Sequence, residues 1–418
     1  MLRTPLLIKN IGELVTLRPL AEQRRLTQIQ GKDLGVYRRA WLLIDDKGQV
    51  LDMGEGEIPP VISQATDQVE DAHGGLVLPG FVDSHTHLIW SGSRAGEMER
   101  RLAGETYQQI ASSGGGIRST VTATRGSSDE VLLKLCLARA KRALSLGITT
   151  LEAKSGYGLS LSEELRLLRI LKRLEPMIPQ TLYRTCLALH AASPEHPKLE
   201  GWIDQATKEL LPAISDEKLA HGVDAFIDEG YFSTKNIEPY VGKAQDLGLD
   251  IRLHADEFSD AGAALAAARW GAKSADHLQF ASRDGIQAMA QSRVTATILP
   301  GTSLYTKLPF TSGRIFADAG VPVAIATDFN PGSCMIDNLP MLATVGCIHS
   351  GLTPAEAIAG ITLVAAHSLG LERKKGALAP GYDGDFILYR GMPSTAEWIA
   401  DFGRTAPSEV WIRGTRHI

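Results

Sequence analysis

Two histidines one residue apart, His85 and His87, end the run Leu78-Pro79-Gly80-Phe81-Val82-Asp83-Ser84-His85-Thr86-His87. Residues two apart on a β-strand share a face, so an apolar strand that ends in His-x-His presents two imidazoles side by side at its tip. That is half of a metal site. The structural alternative is a pair of histidines that merely fills a strand end, and it loses ground as further donors accumulate downstream. His254 and Asp328 add a third imidazole and one carboxylate. A set of imidazoles and one carboxylate, without thiolate, suits zinc or ferrous iron, and a catalytic site of this kind keeps one position for water. Such an ion lowers the pKa of its water from about 15.7 toward 7. Glu257 lies three residues beyond His254, where a carboxylate can carry a proton from that water to a leaving nitrogen. Its structural alternative is a solvated loop acid.

Side chains so far apart in sequence need a frame that brings their carriers together. Apolar runs at 75–90, 148–153, 182–191, 223–227, 251–255, 274–278, 294–299 and 321–327 alternate with amphipathic helical patterns. In one of these helices Ser160 and Glu163 make a capping box, and Leu167, Ile170, Leu171 and Leu174 then recur at helical spacing. Eight almost wholly apolar strands separated by helices predict a parallel sheet covered on its outside, an α/β chain closed into a (β/α)8 TIM-like barrel. A doubly wound open sheet is the alternative. The barrel demands chemistry at the C-terminal strand ends, and the polar residues fall there: His85 and His87, Lys154 and Tyr157, His190, Asp228 and Glu229, His254 and Glu257, His277, then Asp328 and Asn330.

The chain has 418 residues and a formal net charge of −5, enough for one large core and a smaller one. Without long Lys/Arg runs, neither nucleic acid nor an anionic membrane is expected as a partner. No apolar stretch approaches the roughly 20 residues that span a bilayer, and the N-terminus lacks a signal-peptide layout, so a cytoplasmic location is expected. Cys136, Cys186, Cys334 and Cys347 stand far apart and suggest neither a disulfide framework nor a thiolate site.

The Pro-Gly-Phe-Val-Asp-x-His-x-His run, His254, the His277 strand and Asp328 resemble the amidohydrolase superfamily of metal-dependent hydrolases. Further runs narrow the resemblance to the imidazolonepropionase family: Ser91-Gly-Ser-Arg94 with Glu97, Tyr107-Gln-Gln-Ile-Ala, Ser113-Gly-Gly-Gly-Ile117, Lys154-Ser-Gly-Tyr157-Gly, Ser274-Ala-Asp-His277-Leu and Asp328-Phe-Asn330-Pro-Gly332-Ser333. The resemblance spans nearly the whole chain. It implies hydrolytic opening of 4-imidazolone-5-propanoate to N-formimidoyl-L-glutamate with one divalent ion, zinc or iron. It places His85, His87, His254 and Asp328 as metal ligands. It places Arg94, Tyr107, Tyr157, His190, Asn330, Gly332 and Ser333 at the substrate, and Glu257 both at the substrate and as the acid/base. A propionate carboxylate needs a cation, and Arg94 offers a planar fork. His277 or His190 is the expected oxyanion donor, and Asp328 shares proton transfer with Glu257.

By the same resemblance, residues 1–74 and 373–418 form the two halves of a β-sandwich domain flanking a barrel at 75–372. Turn residues Gly381 and Gly384 before an apolar strand agree with this, and Asp385 reads as a turn residue rather than a functional acid. A small-molecule substrate is the expected partner, and a homodimer is compatible with this reading. Two other readings remain open. A deaminase of a cytosine- or guanine-like ring has no need of Arg94, and a non-catalytic assembly protein on this fold has no need of four metal ligands.

Overall fold

A computed structural model describes residues 5–105, 109–110, 114–404 and 406–418. The N-terminal segment supplies β1 (Leu6–Val15), β2 (Val36–Ile44), β3 (Val50–Glu55), β4 (Gln68–Asp71) and β5 (Leu76–Pro79). The barrel strands are β6 (Phe81–Asp83), β7 (Ile148–Lys154), β8 (Thr181–Leu189), β9 (Gly222–Ile227), β10 (Asp250–Ala255), β11 (Ser274–His277), β12 (Thr295–Ile298) and β13 (Val323–Ile325). The tail adds β14 (Phe386–Tyr389), β15 (Glu409–Ile412) and β16 (Thr415–Arg416).

The strands β6 to β13 pair in sequence order, and each of the described ladders is parallel. Every residue of β7 and β9 is buried, as expected of strands enclosed by helices on one side and filled by side chains on the other. The seam between the last strand and the first closes through side chains and loop backbone. Asp83 accepts hydrogen bonds from the Thr327 amide (3.0 Å) and hydroxyl (2.7 Å), the Asp328 amide donates to His85 O (2.9 Å), and the His87 amide donates to Phe329 O (3.0 Å). Closure of the barrel therefore sets His85 and His87 against Asp328.

Both chain ends build the second sheet, in the order β16-β15-β14-β5-β1-β2-β3 with β4 beside β1. Its strands alternate with period 2 between two cores. Phe386, Leu388 and Val77 face a core belonging to the sheet, while Ile387, Tyr389, Leu76 and Leu78 join the barrel core. The run at 75–90, expected as one barrel strand starting at 75, is corrected here. Leu76–Pro79 pairs antiparallel with β14, and the barrel strand begins at Phe81. Gly80 makes the switch, because a Cβ there would lie 2.3 Å from Thr149 Oγ1. The capping box is half made: Ser160 accepts the Glu163 amide, whereas the Glu163 carboxylate turns to Arg166 at 2.8 Å.

Candidate metal centre and substrate pocket

Each donor side chain stands at a C-terminal strand end or in the adjoining loop. His85 and His87 come just after β6, His254 lies in β10, and Asp328 comes after β13 with its backbone in the left-handed region (φ 50°). His87 Nε2 lies 3.4 Å from His254 Nε2 and 3.4 Å from Asp328 Oδ1, and His85 Nε2 lies 3.5 Å from the same oxygen. Donors arranged tetrahedrally at about 2.0–2.1 Å from a zinc ion are themselves about 3.3–3.4 Å apart, so the spacing fits one such ion. The donor chemistry fits as well. Burial lowers His85 first, and the Lys154 charge adds to it; burial also lowers His87 against the pull of Asp328, so both rings are neutral and could offer a nitrogen to a metal ion. His87 Nε2 and His254 Nε2 face each other at 3.4 Å, and a cation between them would draw on both nitrogens. His85 Nε2 is buried without a hydrogen-bond partner among the described residues. Burial pushes the Asp328 carboxyl up, but the hydrogen bond from His87, the electrostatic pull of the neighbouring His277 and His87 rings, and the Thr302 hydroxyl outweigh it and leave it at about 2.

A second layer orients the rings. His85 Nδ1 meets Asp276 Oδ2 at 2.7 Å, and His254 Nδ1 lies 3.0 Å from Asp224 Oδ2, an arrangement that sets which ring nitrogen faces inward. These carboxylates belong to a fully buried ionic layer. Lys154 Nζ reaches Asp224 (2.6 Å) and Glu152 (2.9 Å), while Arg252 reaches Glu152 (2.9 Å), Ser84 O (2.8 Å) and Asp276 (3.5 Å). Buried charges persist only when paired, and here the pairs hold the histidine partners rigid. Sequence reasoning reached Lys154 and missed Glu152, Asp224, Arg252 and Asp276. The available signal was charge at alternate positions of apolar strands, as in Glu152-x-Lys154 and Arg252-x-His254.

The pocket above this cluster is lined by His87, Arg94, Tyr157, His190, Glu257, His277, Asn330 and Ser333, together with His254 and Asp328. His85 lies behind them. Glu257 Oε2 stands 3.6 Å from His277 Nδ1, and burial, then the charges of Asp328 and Asp228, hold its carboxyl well above the usual range. Asp228 also fixes the Glu257 loop, accepting the Phe258 amide (2.7 Å) and the Ser259 hydroxyl (2.6 Å). Burial lowers His277 to about 3, leaving a neutral ring. His190 Nδ1 contacts Gly156 O at 3.0 Å, its ring stacks on His87, and Tyr157 meets it edge-on at 5.4 Å.

Arg94 Nε and Nη2 donate to Glu97 Oε2 at 3.0 and 2.8 Å, which turns the guanidinium toward Gly332. A Cβ on Gly332 would stand 2.0 Å from Arg94 Nη1, so the absence of a side chain there makes room for the fork. Gly332 itself does not line the pocket. Its amide and that of Ser333 both donate to Asn330 Oδ1 at 2.8 Å, and the Asn330 amide group donates to Asp328 O at 2.7 Å. Tyr107 lies outside the described residues. Phe226, Tyr231, Phe258 and Ile117 also line the pocket and escaped sequence reasoning. Phe226 stacks on Tyr231 with centroids 4.1 Å apart. It reads as core in an apolar strand, although Asp224 and Asp228 on the same strand face bracket it.

Comparison with known proteins agrees with this geometry. The profile of the Amidohydrolase family matches residues 68–115 and 116–416. An imidazolonepropionase of Idiomarina loihiensis is 39% identical over 395 residues, covering 94% of this chain and 95% of that protein. An imidazolonepropionase of Myxococcus xanthus is 40% identical over 399 residues, covering 93% and 92%. The chain belongs to the imidazolonepropionase family. Like other amidohydrolases, this imidazolonepropionase-family chain is a metal-dependent hydrolase. Solved structures of a triazine hydrolase variant (TM-score 0.74, 16% identity, 99% of this chain and 94% of that one) and of a Xanthomonas campestris adenosine deaminase with bound zinc (TM-score 0.71, 16% identity, 99% and 93%) share the fold. No helix among the described residues is long and apolar enough to cross a membrane.

Proposed function

We propose that this protein opens the ring of 4-imidazolone-5-propanoate by adding water across its amide carbon-nitrogen bond, releasing N-formimidoyl-L-glutamate in the cytoplasm. The observation that carries this reading is a fork-shaped cation, Arg94, held by Glu97 on the rim of a pocket whose floor is an imidazole and carboxylate cluster. His85, His87, His254 and Asp328 hold one divalent ion, zinc or iron, since three imidazoles and a carboxylate accept either. When bound, that ion supplies acidity to a water and polarises a carbonyl.

The chain's own residues do the rest. Arg94 takes the propionate carboxylate, so the ring is delivered in one orientation. Tyr157 and His190 pack against the ring, and Asn330 with Ser333 shapes the pocket wall. His277, or alternatively His190, donates a hydrogen bond to the carbonyl oxygen as negative charge develops there. Glu257 accepts the proton of the attacking water and returns it to the ring nitrogen as the carbon-nitrogen bond breaks. Burial, with the charges of Asp328 and Asp228, raises its pKa and so favours its taking up a proton.

The test is turnover of imidazolone propionate after metal removal and restoration with zinc or ferrous ion separately. Recovery with one ion and not the other names the metal. Turnover that persists after complete metal removal, or a preference for a ring without the carboxylate, overturns the proposal. The second outcome favours a deaminase-like reaction instead.

A further inference from the structure

On the side of the barrel opposite the catalytic pocket lies a cavity of about 860 Å³. Arg293 and Pro322 line it just ahead of β12 and β13, whereas Asp328 stands beyond the other end of β13. The opposing wall comes from the N-terminal segment, through Leu20, Arg24 and Leu26, and from Tyr382 of the tail. The volume falls within the roughly 300–1,000 Å³ range of small-molecule sites.

The charges in this cavity do not balance. Glu22 already holds Arg18 at 2.7 Å, and Arg25 is taken by Asp33 at 2.5 Å. Glu372 faces His367 at 3.8 Å. The guanidinium groups of Arg24, Arg293 and Arg373 have no hydrogen-bond or ion-pair partner among the described residues. Arg24, Arg373 and Tyr382 line the same cavity. The three exposed arginines, Arg24, Arg293 and Arg373, stand at one cavity beside the apolar Leu20, Leu26, Pro322 and Leu363. Guanidinium forks match carboxylate and phosphate oxygens, and apolar surface receives an uncharged body.

We propose that this cavity binds an organic polyanion, a compact body carrying phosphate or carboxylate groups, across the seam between the second sheet and the barrel. Occupancy ties the two walls together and stabilises the fold by mass action, and it does not compete with the substrate on the far face. Calorimetric titration of the metal-loaded enzyme at constant ionic strength tests this, with adenosine monophosphate as the phosphate probe and tricarballylate as the carboxylate probe. Adenosine serves as the uncharged control.

Saturable binding of either probe, without adenosine binding, is the expected result, and the probe that binds names the source of the anion. Arg24→Ala with Arg293→Ala should weaken it about tenfold or more while turnover in the absence of probe stays unchanged. Binding should persist in the His254→Ala variant, which separates this cavity from the catalytic pocket. No saturable heat with either probe at millimolar concentration, or binding that ignores the arginine substitutions, overturns the proposal.

Discussion

In the second sheet, successive residues of β14 alternate between two apolar cores, and the buried Lys375 reaches Asp383 at 2.8 Å and Asp385 at 2.7 Å. At the mouth of the barrel, His85 Nε2, His87 Nδ1 and both ring nitrogens of His277 lack hydrogen-bond partners among the described residues. Each such buried polar atom costs about 1–3 kcal/mol of stability. The sheet therefore supplies stability without chemistry, and the mouth holds groups whose requirements a metal ion and a substrate meet. Asp385 illustrates the first half: a charged residue next to turn glycines, buried and paired, and far from any reacting atom.

The largest effect that sharpens this contrast is His254→Ala. Three remaining ligands hold an ion poorly, so hydrolysis should be abolished and bound metal should fall on elemental analysis of the purified variant. Full activity with full metal content would remove His254 from the site and blur the contrast. In the sheet, Phe386→Ala deletes a fully buried ring stacked against Trp411, at a cost of about 3–5 kcal/mol in denaturant unfolding. The turnover of the molecules that remain folded should stay at the wild-type level. A drop in kcat at constant folded fraction would show that the sheet takes part in the chemistry after all.

Glu257→Gln keeps the shape and removes the base. Turnover should fall by about 100-fold or more with metal retained, and metal loss would recast Glu257 as a ligand. Arg94→Met should weaken kcat/KM for the propionate substrate by about 2 kcal/mol while hardly affecting an analogue without the carboxylate. Equal losses on both compounds would make Arg94 a framework residue.

The smallest effect compares two acids shifted in opposite directions. Glu356 is pushed up by burial, but hydrogen bonds from Arg314 and Thr353 outweigh this and hold it below its ordinary value of 4.5. A depressed carboxyl adds stability above its unfolded pKa, and that stability is lost as pH falls through the lower folded value. The stability gap between wild type and Glu356→Gln should therefore be present at neutral pH, at about 1 kcal/mol or less because Arg314 is partly exposed, and shrink below pH about 4.5. Glu257 carries the opposite sign, since its raised value makes the folded state less favoured as pH rises above the unfolded pKa. A gap for Glu356→Gln that widens in acid would break the distinction.

Much of the frame was legible in sequence because its signals are local. Apolar strand runs and helical spacing are periodic within a dozen residues, and seven of the eight expected barrel strands appear within a few residues of their expected bounds. The errors arose where a long-range partner decides. The run at 75–90 gives no local sign that Leu76–Pro79 pair with β14 of the tail, some 300 residues away. Glu163 carries the spacing of a capping box but finds Arg166 instead.

His85, His87, His254, Glu257, His277 and Asp328 could be picked out from residue type and from their place at strand ends, since a barrel of parallel strands sends all those ends to one face. The spacing of the donor nitrogens, the aromatic wall at Phe226 and the ionic layer that orients His85 and His254 came from tertiary structure alone. A strand's side-chain direction is set by its register, and register depends on which neighbour it meets. Glu152, Asp224, Arg252 and Asp276 each look costly in an apolar strand taken singly. Barrel closure turns them toward one another and toward Lys154, and only then do their charges compensate.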